Sequence, residues 1–151
     1  MRHEALGTRV ARTERALVRE WFDALPPWER VNVAALADMG IVRTPGPAAC
    51  EDAARLACGD WRALLAAWVP DPDAQKAFGE KCRAALAAGD FTGAAGALVE
   101  VCLSALRRTL AAVPAAFVLA NTHERLASCR DTAVPRLAEQ LAARRSVEGS
   151  A

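Results

Sequence analysis

Residues 94–113 read AAGALVEVCLSALRRTLAAV, a helix-length stretch that is apolar on almost every side. In its first half only Glu100 and Ser104 interrupt the apolar surface, and Arg107 and Arg108 continue the same narrow stripe. A surface helix needs a broad polar arc, so a helix this apolar all round belongs inside. The stretch predicts an all-α fold, a compact globular bundle of roughly six to eight helices around a central hydrophobic helix at about 94–112.

The segments to either side supply helix starts and stops. Asp90 stands ready to cap the central helix, whose entry carries Gly93 and Gly96. Before it, Asp71-Pro72-Asp73 combines a cap, a first-turn proline and an acid that suits a helix N-terminus. The helix that follows places Phe78, Cys82, Ala85 and Leu86 on one face and stops at Gly89. Residues 48–69 form a third helical stretch, broken at Gly59-Asp60, after which Trp61, Leu64, Leu65 and Trp68 keep helical spacing. VRTPGP at 42–47 is the clearest loop. WERVNVAALADM makes a second helix that ends at Gly40, with Ile41 as its hydrophobic cap contact. Pro26-Pro27 separates it from a first helix over about Thr8–Ala24, whose apolar face is Leu6, Val10, Leu17, Val18, Trp21 and Leu25. After Pro114 marks a bend, residues 115–145 supply one or two helices with a break at Pro135. The chain therefore reads as one all-α domain over 1–145 and a flexible polar tail at 146–151.

Composition narrows the function classes. Across 151 residues, 53% hydrophobic and 25% charged content is that of a globular domain. Net charge is +1, so no global field attracts nucleic acid or an anionic membrane. Arginines 2, 9, 12, 15 and 19 alternate with Glu4, Glu14 and Glu20, the pattern of a solvated helix face. Arginine is common while lysine occurs only at Lys76 and Lys81, as a GC-rich coding bias would produce. Five cysteines without a CxxC pair (Cys50, Cys58, Cys82, Cys102 and Cys129) read as reduced core thiols in a cytoplasmic setting. The opening lacks the apolar stretch of a signal peptide, the ending RRSVEGSA carries no tail anchor, and the apolar run at 94–106 is too short to span a bilayer.

Catalytic signatures do not appear. There is no Walker loop, dinucleotide fingerprint, HExxH or nucleophile elbow. His123 and Cys129 are six residues apart, which does not stack them on one helical face as a zinc or Cys-His pair would need. LPPWERVNVAALADMGI resembles the opening of a helix-turn-helix unit, but VRTPGP replaces the short turn and no basic recognition helix follows. The expectation is a non-enzyme with no metal, no cofactor and no nucleic-acid partner.

The segment from Phe78 to Leu106 resembles the region around the first BH motif of the Bcl-2 family of apoptosis regulators. Phe78, Cys82 and Leu86 keep the apolar spacing that precedes the family's Asn-Trp-Gly-Arg turn. Gly93 falls at the motif glycine, and Glu100 stands seven residues later, as an acidic residue does in some members. Upstream, ARLACGDWRALLAAW resembles the third BH motif, with Gly59-Asp60 matching its Gly-Asp pair. At the turn itself Phe91, Thr92 and Ala94 replace Asn, Trp and Arg. The short chain and loose motifs resemble virus-encoded members.

The resemblance implies that an amphipathic partner helix lies in a hydrophobic groove, sequestering the BH-motif helices of pro-death proteins. The groove positions it implies are Trp61, Leu65, Trp68, Phe78, Lys81, Ala85, Gly93, Ala94, Ala97 and Val101. Alternatives are a Bcl-2-like signalling antagonist without a groove, a bacterial all-α regulatory or assembly protein, and a ligand-binding helical bundle. A homodimer stays open under each.

Overall fold

The computed structural model describes residues 2–119 and 122–149, without the side chains at 2–12, 61 and 123. The chain is all-α. Seven α-helices form among the described residues: α1 (Arg2–Asp23), α2 (Pro27–Asp38), α3 (Pro47–Gly59), α4 (Trp61–Trp68), α5 (Pro72–Ala87), α6 (Phe91–Ala112) and α7 (Thr122–Gly149). A short 3-10 turn spans Ala115–Phe117. These helices fall into two compact units, one of Met1–Leu64 with Arg108–Thr122, the other of Leu65–Arg107 with His123–Ala151.

In the first unit, α1 begins at Arg2, earlier than the expected Thr8. The added residues include Arg, Glu, Ala and Leu, which favour helix. Its buried face is also turned from the expected one. Val18 and Phe22 are 1% and 3% exposed, whereas Leu17 is 52% exposed. Leu6 and Val10 lie outside the described side chains. Trp21 packs on Phe117 with ring centroids 5.5 Å apart.

Helix α2 starts with Pro27 in its first turn and ends as Gly40 predicts. Gly40 takes φ 72°, a left-handed value that glycine adopts without strain. Its N–H donates to Ala37 O, and Ile41 N–H donates to Leu36 O at 2.9 Å, closing a Schellman motif. Val31, Asn32, Val33, Ala34 and Leu36 are all buried, so α2 is hidden through most of its circumference. Asn32 survives there because its amide donates to Thr109 Oγ1 at 3.1 Å, and Thr109 donates onward to Glu29 Oε2 at 2.9 Å.

Ala49 and Ala53, one turn apart on α3, are 3% and 5% exposed, and α3 packs against α2. Small residues at that spacing allow close approach of two helices. The start of the expected loop at 42–47 is extended: Val42 bridges Val118, with Arg43 N–H donating to Phe117 O and Leu119 N–H to Ile41 O.

Asp60 caps α4 through its carboxylate, which accepts from Ala63 N–H at 3.1 Å. In the second unit, Asp71 likewise accepts from Ala74 N–H at 3.3 Å at the start of α5. Helices α5 and α6 share one joint. Gly89 has φ 73°, and Asp90 N–H donates back to Ala85 O at 2.8 Å, ending α5. The Asp90 carboxylate then accepts from Gly93 N–H at 2.8 Å, starting α6. A Cβ on Gly93 would fall onto that carboxylate, which accounts for glycine in the first turn.

Helix α6 buries Ala94, Ala95, Ala97, Val99, Leu103, Ala105, Leu106 and Thr109, while Ser104, Arg107 and Arg108 are exposed. Glu100 is half-covered and pairs with Arg130 of α7 at 3.0 Å. The Arg145 guanidinium sits 5.9 Å from the centre of the Phe91 ring. The start of α6 thus meets the end of α7, and the middle of α6 meets the first third of α7. The two helices run antiparallel.

One expectation fails in α7: Pro135 does not break it, and the helix runs through Gly149, into the stretch expected as a polar tail at 146–151. Residues 150–151 lie outside the described residues. Arg130 and Arg145 tie α7 to α6 on both sides of Pro135, exposed contacts worth about 1 kcal/mol or less each, so they offset only part of the lost backbone hydrogen bond. An interior proline costs about 3 kcal/mol, partly offset by a stiffer unfolded chain. Pro135→Ala should therefore raise stability by about 1–2 kcal/mol, read as a higher urea midpoint. A lower midpoint would mean that α7 is not continuous in solution.

Candidate functional site

The groove positions drawn from the resemblance fall on α4, α5 and α6, and all but Trp61 belong to the second unit. Trp61 starts α4, and its side chain lies outside the described residues. Leu65 and Trp68 of α4 are half-covered. On α5, Phe78 and Ala85 are half-covered and Lys81 is exposed. On α6, Gly93 is tied to Asp90 and half-covered, Val101 is half-covered, and Ala94 and Ala97 are 1% and 7% exposed.

Helix α5 differs from its neighbours. Its sixteen residues include none that is fully buried. Phe78, Cys82, Ala85 and Leu86 recur at helical spacing and define an apolar face, yet each stays half-covered. Lys76, Glu80, Lys81 and Arg83 are exposed charges on the same helix. An amphipathic helix normally buries its apolar stripe, because that burial supplies most of its stability in a protein. Here the stripe retains solvent-facing area.

Sequence reasoning missed two concavities in the first unit. One, of about 280 Å³, is lined by residues of α1, α2 and α3, including Phe22, Arg30, Asp52 and Leu56. The other, shallower and about 410 Å³, lies beside Val18, Val42 and Leu119. It is edged by Arg43, which reaches Glu14 at 3.8 Å and Ala116 O at 3.3 Å. None of the groove positions lines either one. The apolar spacing of α1 was visible in the sequence without Phe22, and the convergence of Phe22, Arg30 and Leu56 depends on helix packing.

The cysteines are free thiols, and none is fully buried: Cys58 is exposed and the other four are half-covered, so they are not the core thiols expected. Burial pushes the Cys102 thiol up to about 11, with Cys129 adding to the shift. Burial also raises Cys50 and Cys82, opposed by the Thr44 hydrogen bond at Cys50 and by Lys81 and Arg83 at Cys82. A thiol raised in the folded state favours folding until the unfolded thiol ionises near 9.0, and that contribution is lost as pH climbs through about 11. Stability should therefore fall between those values, and Cys102→Ala should flatten this part of the pH–stability curve. An unchanged slope would show Cys102 to be solvated.

No group of three or more His, Cys, Asp or Glu residues is placed to hold a metal among the described residues, and no helix there is long and apolar enough to cross a membrane. Comparison with protein families, characterised proteins and solved structures finds no match to this chain.

Proposed function

We propose that this chain is a non-enzymatic protein-interaction domain that receives an amphipathic helix, as Bcl-2 family members do, and acts by sequestering BH-motif helices of pro-death proteins. The observation that carries the proposal is the half-covered apolar face of α5, with Leu65 and Trp68 of α4 as further apolar surface. A partner helix would set side chains at i, i+3, i+4 and i+7 against such a surface. Aromatic anchors give most of the energy in interfaces of this kind, which assigns the leading roles to Trp68 and Phe78. The family's groove arginine is replaced here by Ala94, which is buried, so an acidic residue on the partner would be read by the exposed Lys81.

Titration of fluorescent BH-motif peptides into the purified chain tests this reading. The expected dissociation constant is below roughly 10 μM, about −7 kcal/mol. Phe78→Ala and Trp68→Ala should each weaken binding by about tenfold or more. Lys81→Glu should weaken only peptides that carry the acidic residue. Absence of binding in this range would reject the groove mechanism and leave a signalling antagonist that acts through another surface.

A further inference from the structure

The 280 Å³ cavity of the first unit lies among the last turn of α1, the start of α2 and helix α3. Its floor is apolar, with Phe22, Ala49 and Ala53 only 3–5% exposed and Leu56 half-covered. Its charged rim is unevenly satisfied. Arg19 Nε donates to both carboxylate oxygens of Asp23 at 3.0 Å, and Asp52 meets Arg55 on its own helix at 3.5 Å. Arg30, half-covered in the same lining, has no side-chain hydrogen bond or ion pair among the described residues.

We propose that this cavity binds a small apolar monocarboxylate. The carboxylate would sit on the Arg30 guanidinium, and its hydrocarbon or aryl body on Phe22 and Leu56. A guanidinium presents a planar fork that matches a carboxylate in two parallel hydrogen bonds, and partial desolvation strengthens such a pair. The rim also selects for charge. Asp23 and Asp52 stand near the site, so a second negative charge on the ligand, as on a phosphate monoester, meets repulsion. Size sets the other limit, because the cavity falls just below the roughly 300–1,000 Å³ range of small-molecule sites. That excludes dinucleotides and two-chain lipids and suits a medium-chain or arylalkanoic acid.

The test is titration of the full chain with octanoate and with 3-phenylpropionate, followed through the methyl resonances of Ala49, Ala53 and Leu56. Saturable shifts at these methyls are expected. Arg30→Gln should weaken binding by about tenfold or more, the loss expected for a charge-assisted hydrogen bond, with Arg30→Lys in between. The methyl ester of phenylpropionate should lose a similar factor on the unaltered protein, a comparison that does not depend on how any variant folds. Leu56→Trp, which fills the cavity, should abolish the shifts while leaving the helical circular-dichroism signal in place. Methyls that do not respond at millimolar acid, or an ester that binds as tightly as the acid, would overturn the proposal.

Discussion

Leu36→Ala is expected to destabilise the protein by about 3 kcal/mol, within the roughly 2–5 kcal/mol that large-to-small core changes cost. Leu36 is 0% exposed and lies near the C-terminal end of α2. Its carbonyl accepts from Ile41 N–H, and Ile41 is also 0% exposed, so the side chain is held where the helix ends and the chain turns back. A void opened there has little freedom to collapse, because the backbone around it is fixed by the Gly40 turn. The urea midpoint should drop with an unchanged slope. Leu17→Ala is the control: Leu17 is 52% exposed, and the change should cost less than about 0.5 kcal/mol. Equal losses at the two positions would contradict the burial pattern.

The second large effect concerns the polar chain running from Asn32 through Thr109 to Glu29. Thr109→Val keeps shape but removes the hydroxyl, which both accepts from Asn32 and donates to Glu29. Asn32 is 6% exposed, so its amide would lose this one hydrogen bond inside the core. The asymmetry of hydrogen-bond energetics governs the outcome: leaving one buried partner unsatisfied costs about 1–3 kcal/mol, whereas replacing both partners by apolar groups can be nearly neutral. Thr109→Val alone should thus cost about 2 kcal/mol, and the Asn32→Leu/Thr109→Val pair should cost less than the sum of the single changes. Additive losses in this double-mutant cycle would mean that water already serves both groups.

The pattern of agreement between sequence and structure follows from the range of the forces involved. Caps at Asp60, Asp71 and Asp90 and the stops at Gly40 and Gly89 were legible because each is settled by contacts within a few residues. The polar stripe at Ser104, Arg107 and Arg108 was legible for a similar reason, being one side of one helix. What escaped depends on distant segments. Asn32 and Thr109 are 77 residues apart, and neither announces the other. Glu100 had local arginines to choose from, yet pairs with Arg130 once α7 runs antiparallel to α6. Pro135 carries a strong local signal for a break, yet α7 runs through it and meets α6 on both sides. Among the groove positions, spacing could place Phe78, Cys82, Ala85 and Leu86 on one face of α5. It could not say that this face stays half-covered while Ala94 and Ala97 are buried.

Helix binding at α5 is tested most directly by amide hydrogen exchange across residues 72–87, with and without a BH-motif peptide. Binding on the apolar face should slow exchange along α5, centred on Phe78 to Leu86, because docking suppresses local opening of a helix that buries little in the free chain. Slower exchange elsewhere with α5 unchanged, or no change at saturating peptide, would contradict the proposed site.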